Sequence, residues 1–160
     1  MTAQQHADQV VDQLKDSWLP TIYRDRILKT RTRAYHFGAL PLKSSVLIQH
    51  SLLGVELKVG RRRLLCPDLA TARYLSVFAR AGCKDVAVPY DITKVSRLAD
   101  ELESSWHRML LLVDLNAAGL SDAFKTRIRG LLLAKLRTEI SQAGAGARVP
   151  DFKQSTKQHT

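Results

Sequence analysis

Fourteen residues, Val55 to Asp68 (VELKVGRRRLLCPD), concentrate most of the side chains in this sequence that could do chemistry. Glu56-x-Lys58 sets a carboxylate and an ammonium two positions apart, on the same side of an extended strand. Such a pair can hold a divalent cation and offset the charge that develops on a phosphodiester as it is cleaved, provided a second carboxylate shares the ion. Arg61-Arg62-Arg63 supplies three planar donor forks suited to phosphate, and arginine makes up 15 of the 25 basic residues. Cys66 precedes Pro67-Asp68, where a helix start would lower a thiol's pKa somewhat; a buried structural thiol is the simpler reading.

The elements that must carry these residues follow from periodicity. GVELKVG alternates Val55, Leu57 and Val59 on an apolar face with Glu56 and Lys58 outward, which predicts a strand. SSVLIQHS before it predicts an antiparallel partner, and RRLLCP a third strand after a turn at Gly60. Asp68 can cap a helix whose stripe of Leu69, Tyr74, Leu75 and Phe78 stops at Gly82. DVAVPY, residues 85–90, reads as a short buried strand. Asp91 or Thr93 opens the next helix, which Val95, Leu98, Leu102, Met109 and Val113 carry to about 114; its leucine-rich MLLLVD favours helix over strand. Ser121 and Asp122 open a last helix, with Phe124, Ile128, Leu131, Leu132 and Leu136 inward, ending near Gln142.

Upstream, Val10, Val11, Leu14 and Trp18 predict an amphipathic helix over 3–19 that Pro20 ends or redirects. Ile22, Tyr23, Ile27 and Leu28 predict a second over about 21–33, followed by a loop containing Gly38 and Pro41. The fold class expected is α/β of the α+β kind: a small sheet of three antiparallel strands plus DVAVPY, covered by four to five helices. It forms one domain over 1–142, led by an acidic helix in 1–20, with a basic flexible tail over 143–160.

The order helix, three strands, helix, strand over about residues 21–90 resembles that of the PD-(D/E)xK nucleases. The resemblance implies metal-dependent phosphodiester cleavage, with Glu56 and Lys58 as the weak catalytic candidates. In that family an Asp begins the strand before Glu-x-Lys, whereas SSVLIQHS has no carboxylate. Pro67-Asp68 follows Glu56, the reverse order, and Asp68 is accounted for as a cap. Tyr35, His36 or His50, and Lys58 form a Tyr/His/Lys set similar to that of the tRNA-splicing endonucleases, with His as general base. Nothing in the spacing fixes those residues together.

Composition narrows the partners more firmly. Net charge is +10, a field that favours polyanions or an acidic protein. Residues 21–43 hold six basic side chains and one acidic, 56–63 four and one, and 121–142 five and two, whereas 1–20 hold one and three and 85–114 three and six. The basicity is segregated. Cys66 and Cys83 have no Cys-x-x-Cys spacing and read as reduced thiols of a cytoplasmic protein. No zinc-finger spacing, phosphate-loop motif, dinucleotide fingerprint or metalloprotease motif occurs, so no metal or cofactor is expected. No apolar run nears the roughly 20 residues of a membrane span, which argues against integral membrane association.

The leading expectation is a non-enzymatic binder of nucleic acid, RNA or single strands, without sequence preference. Phosphate contacts would come from Arg24, Arg26, Lys29, Arg31, Arg33, Arg61, Arg62 and Arg63. Tyr23, Tyr35, His36 and Phe37 lie beside this basic run and could stack on bases, with Tyr23 and Phe37 better explained as core. The alternative is an assembly or adaptor protein whose basic face docks on an acidic partner; the nuclease reading stands third.

Overall fold

A computed structural model describes residues 1–38 and 45–146, and the expected loop at Pro41 and the tail beyond 146 lie outside them. Helix α1, Ala3–Leu14, opens on a reciprocal cap. The Thr2 hydroxyl accepts from the Gln5 N–H, and the Gln5 side chain accepts from the Thr2 N–H. The helix ends five residues short of the expected 19, because Lys15 takes φ 51 and Lys15–Ser17 tightens into a 3₁₀ turn. Trp18, buried, then enters the core from a new direction. Pro20 redirects the chain rather than ending it: it sits in the first turn of α2, Leu19–Ile22, where no N–H is needed.

The helix expected over 21–33 is corrected. Ile22, Tyr23 and Ile27 are buried as their spacing implied, but Tyr23–Ile27 widens into a π turn closed by Leu28 N–H on the Tyr23 carbonyl. Residues Thr32–His36 are strand β1. What converts them is a partner 50 residues on. Strand β5, Asp85–Pro89, pairs antiparallel with β1 from Thr32 opposite Pro89 to His36 opposite Asp85. DVAVPY is therefore a buried strand as read, but it does not extend the three-stranded sheet.

That sheet is the expected meander: β2, Val46–Ser51; β3, Gly54–Val59; β4, Arg62–Cys66. Its inner face carries Leu57, Val59 and Cys66, all buried, and packs on α3, Leu69–Ala81. Asp68 caps α3 by accepting from the Thr71 N–H at 2.7 Å, and Gly82 closes it at φ 79. Helix α4, Ile92–Asn116, is capped by Asp91 and includes MLLLVD. Helix α5, Asp122–Ala143, is capped by Ser121. Arg73 clasps α3 to α4 through Asp100 and Glu103. Helices α4 and α5 both pack on α1, where Gln13 and Asn116 exchange side-chain hydrogen bonds.

A two-stranded ribbon is marginal by itself, and this one is held on its open side. Ala87 in β5 turns its N–H and carbonyl away from β1. The N–H donates to the Tyr23 hydroxyl at 2.9 Å, and the Tyr74 hydroxyl donates to the carbonyl at 2.5 Å. Tyr23 in turn donates to the Gly144 carbonyl at 2.6 Å, tying the end of α5 to the ribbon. Phe78 packs against both rings, at centroid distances of 5.8 and 5.3 Å. Gly146, at φ +94, lies so close that a Cβ there would run into the Thr32 hydroxyl and Ala87.

Two predictions follow from this knot. Tyr23→Phe leaves the Ala87 N–H and the Gly144 carbonyl without their partner, and is expected to cost about 1–3 kcal/mol in urea unfolding; a change near zero would show that the knot is not a stabilising feature. The second concerns pH. Burial pushes the Tyr23 hydroxyl up from 10.0 to about 12, opposed by its bond to Ala87, and pushes the Cys83 thiol up from 9.0 to about 12, opposed by the charge of Arg137. The native state thus keeps protons that the unfolded chain releases, so this stabilisation is complete below pH 9 and is lost as pH rises through about 12. The urea midpoint should fall across that window, and Cys83→Ala should make the fall shallower where it begins.

Candidate functional site

Glu56 and Lys58 share the outer face of the meander, but Glu56 is not the free outward carboxylate expected: it is 8% exposed. Its neighbours across the two adjoining strands are Gln49 and Leu65, and Lys58 lies between Leu47 and Arg63. No second carboxylate faces Glu56 from either strand. Among the described residues, no group of three or more His, Cys, Asp or Glu side chains is placed to hold a metal ion. The element order behind the nuclease resemblance also changes, since its first helix stops at Ile27 and a further strand, β1, stands between it and the meander.

The Tyr/His/Lys set is spread out. His50 opposes Val55, on the face of the meander opposite to Lys58, and Tyr35 and His36 belong to the ribbon. Tyr23 and Phe37 are core residues, as read, while Tyr35 is half-buried with its ring edge-on to Phe37. Cys66 is the buried thiol of the simpler expectation. Burial raises its pKa, with Asp68 adding to the rise, so the thiol is not activated by the helix that follows.

The eight basic residues expected to contact phosphate divide by what the fold sets against them. Arg24 pairs with Glu139 at 3.3 Å, and Arg26 pairs with Glu101. Arg62 donates to the Phe37 carbonyl, fastening the meander to the end of β1. The triple arginine thus has one member with a structural task. Arg61 and Arg63 are exposed on either side of it, as is Lys29, and none of the three has an ion pair among the described residues.

Arg31 and Arg33 meet Tyr90, the last residue of the run DVAVPY, just beyond the end of β5. The Tyr90 N–H donates to the Arg31 carbonyl at 3.0 Å, extending the ribbon pairing by one residue. Arg31 therefore lies opposite Tyr90, and Arg33, opposite Val88, lies on the diagonal. Both guanidinium carbons stand over the Tyr90 ring, at 5.3 and 5.7 Å from its centroid, within cation–π range. Tyr90 is 52% exposed. The sequence signal was Tyr90's position, last in the apolar run and next to the cap Asp91, where a strand leaves the core.

A second feature had no sequence signal. A cleft of about 550 Å³ opens between the start of β5 and the last turns of α5, lined among others by His36, Lys84, Asp85, Arg137 and Ser141. His36 Nδ1 contacts the Asp85 carboxylate across the ribbon. Arg137 donates to the Ala81 carbonyl at the end of α3 at 3.0 Å.

No protein-family model, curated protein or solved structure matches this chain. The division of labour within the triple arginine is directly testable. Arg62→Ala is expected to destabilise by about 1–3 kcal/mol in urea unfolding, because the Phe37 carbonyl loses its donor. Arg61→Ala and Arg63→Ala should each stay within about 0.5 kcal/mol. Equal effects at all three positions would contradict the assignment.

Proposed function

We propose that this protein is a non-enzymatic binder of single-stranded nucleic acid, with RNA the foremost class, that grips the strand at the Arg31–Tyr90–Arg33 edge of the ribbon. The observation that carries the reading is the half-exposed Tyr90 ring flanked by two guanidinium groups. An unpaired base stacks on such a ring whatever its identity, and the guanidinium forks are suited to the phosphates on either side. Lys29, Arg61 and Arg63 would extend the contact along the backbone. Arg24 and Arg26, engaged by Glu139 and Glu101, and Arg62, engaged by Phe37, are secondary. The net charge of +10 adds a long-range attraction to any polyanion.

The rival reading, docking on an acidic protein, draws on the outer face of the meander. Leu47 and Leu65 are 43% and 60% exposed there, beside Arg63, and Leu52 and Leu53 stand out at the hairpin tip. A partner copurifying in fixed proportion after nuclease treatment would favour it.

The proposal is tested by fluorescence anisotropy with a labelled single-stranded RNA. Affinity is expected to fall at least about tenfold from low to moderate salt as phosphate contacts are screened. Tyr90→Ala should weaken binding by about 1–3 kcal/mol, the worth of one stacked base, while Arg24→Ala changes it little. Binding that ignores salt, or no binding to any polynucleotide, removes the reading.

A further inference from the structure

We infer that the cleft between β5 and α5 is a binding site for a phosphate group, with Arg137 as its anchor and Lys84 as its second cation. The inference is independent of the Tyr90 edge. Its cations are short of counter-charge. Lys84, Asp85, His36 and Arg137 are the ionisable side chains of the lining other than the Cys83 thiol, and the Asp85 carboxylate is turned to His36. Arg137 has no carboxylate partner among the described residues, and neither does Lys84.

Arg137 is also only partly used as a donor. A guanidinium has five N–H groups, and the hydrogen bond it makes among the described residues is the one to Ala81. That bond fixes the side chain at the end of α3, and the charge lies near the buried thiol of Cys83. A half-buried cation held in position, with most of its fork unspent, favours an anion that can take two parallel bonds. The lining adds the polar side chains of Ser141 and Gln142, which suit the remaining oxygens of a phosphate better than they suit an apolar ligand. At about 550 Å³, the cleft is in the size range of sites for small organic ligands. The group it takes can belong to a free small phosphate or to the phosphorylated end of a nucleic-acid strand.

Titration calorimetry with inorganic pyrophosphate, at ionic strength matched with chloride, tests the site on the full chain. A saturable isotherm is expected, weakened about tenfold or more in Arg137→Gln, weakened less in Lys84→Gln, and unchanged in Tyr90→Ala. A second arm compares the same oligonucleotide with and without a 5′-phosphate. A preference for the phosphorylated strand that disappears in Arg137→Gln supports the site and names the strand end as its source. If neither probe binds in this way, or if pyrophosphate binds both cleft variants as it binds the wild type, the inference is overturned. Lys84 is exposed, so Lys84→Gln decides the matter should Arg137→Gln fail to fold. Loss of RNA binding in Tyr90→Ala with the pyrophosphate isotherm intact would separate this site from the proposed strand-binding edge.

Discussion

The backbone of Ala87 is where the ribbon, the π turn and α3 meet, and through Tyr23 the end of α5. A two-stranded ribbon buried in a protein must find partners for the backbone groups on its outer edges, because an unpaired N–H or carbonyl away from water costs as much as a lost hydrogen bond. Here no third strand supplies them to β5. Two tyrosine hydroxyls do, one from the π turn after α2 and one from α3. Tyr23 also reaches the end of α5. Four segments far apart in the chain are thereby fixed relative to one another by a single residue's backbone, and the Phe78 ring fills the space between the two tyrosines.

The same ribbon organises the surface. Its register sets Arg31 against Tyr90 and brings Arg33 onto the same ring at one end, and it sets His36 against Asp85 at the other. The distal end borders the cleft that Arg137 and Lys84 share. The two proposed binding features thus lie at opposite ends of one pair of strands. Neither depends on Glu56-x-Lys58, in which Glu56 is a buried residue flanked by Gln49 and Leu65.

Charge illustrates why a linear map of basic residues is a weak guide to a binding face. Arg24 and Arg26 look equivalent to Arg31 and Arg33 in the sequence, yet the first two project toward acidic residues of α5 and α4 while the second two flank an aromatic ring. Within Arg61-Arg62-Arg63, Arg61 lies in the turn before β4, and the alternation of the strand turns Arg62 away from Arg63 and directs it to the Phe37 carbonyl. For Arg24, Arg26 and Arg62 the acid or carbonyl that engages the guanidinium lies 25 to 115 residues away.

The sequence by itself determined the elements whose causes are local. The caps at Asp68, Asp91 and Ser121, the stop at Gly82, the alternating meander and the three long helices after it all arise from side chains within a few residues of the backbone they act on. Only the tertiary structure decided that residues 32–36 are strand, that β5 pairs with them and not with the meander, that two guanidinium groups stand over Tyr90, and that Arg137 lines a cleft. The reason is physical. Tyr23 to Ile27 satisfy a helical period as well as they satisfy a π turn, and Thr32 to His36 become a strand only because Asp85 to Pro89 offer hydrogen bonds along their length. A side chain's availability to a ligand is likewise set by which distant group reaches it first, and that choice belongs to the folded chain.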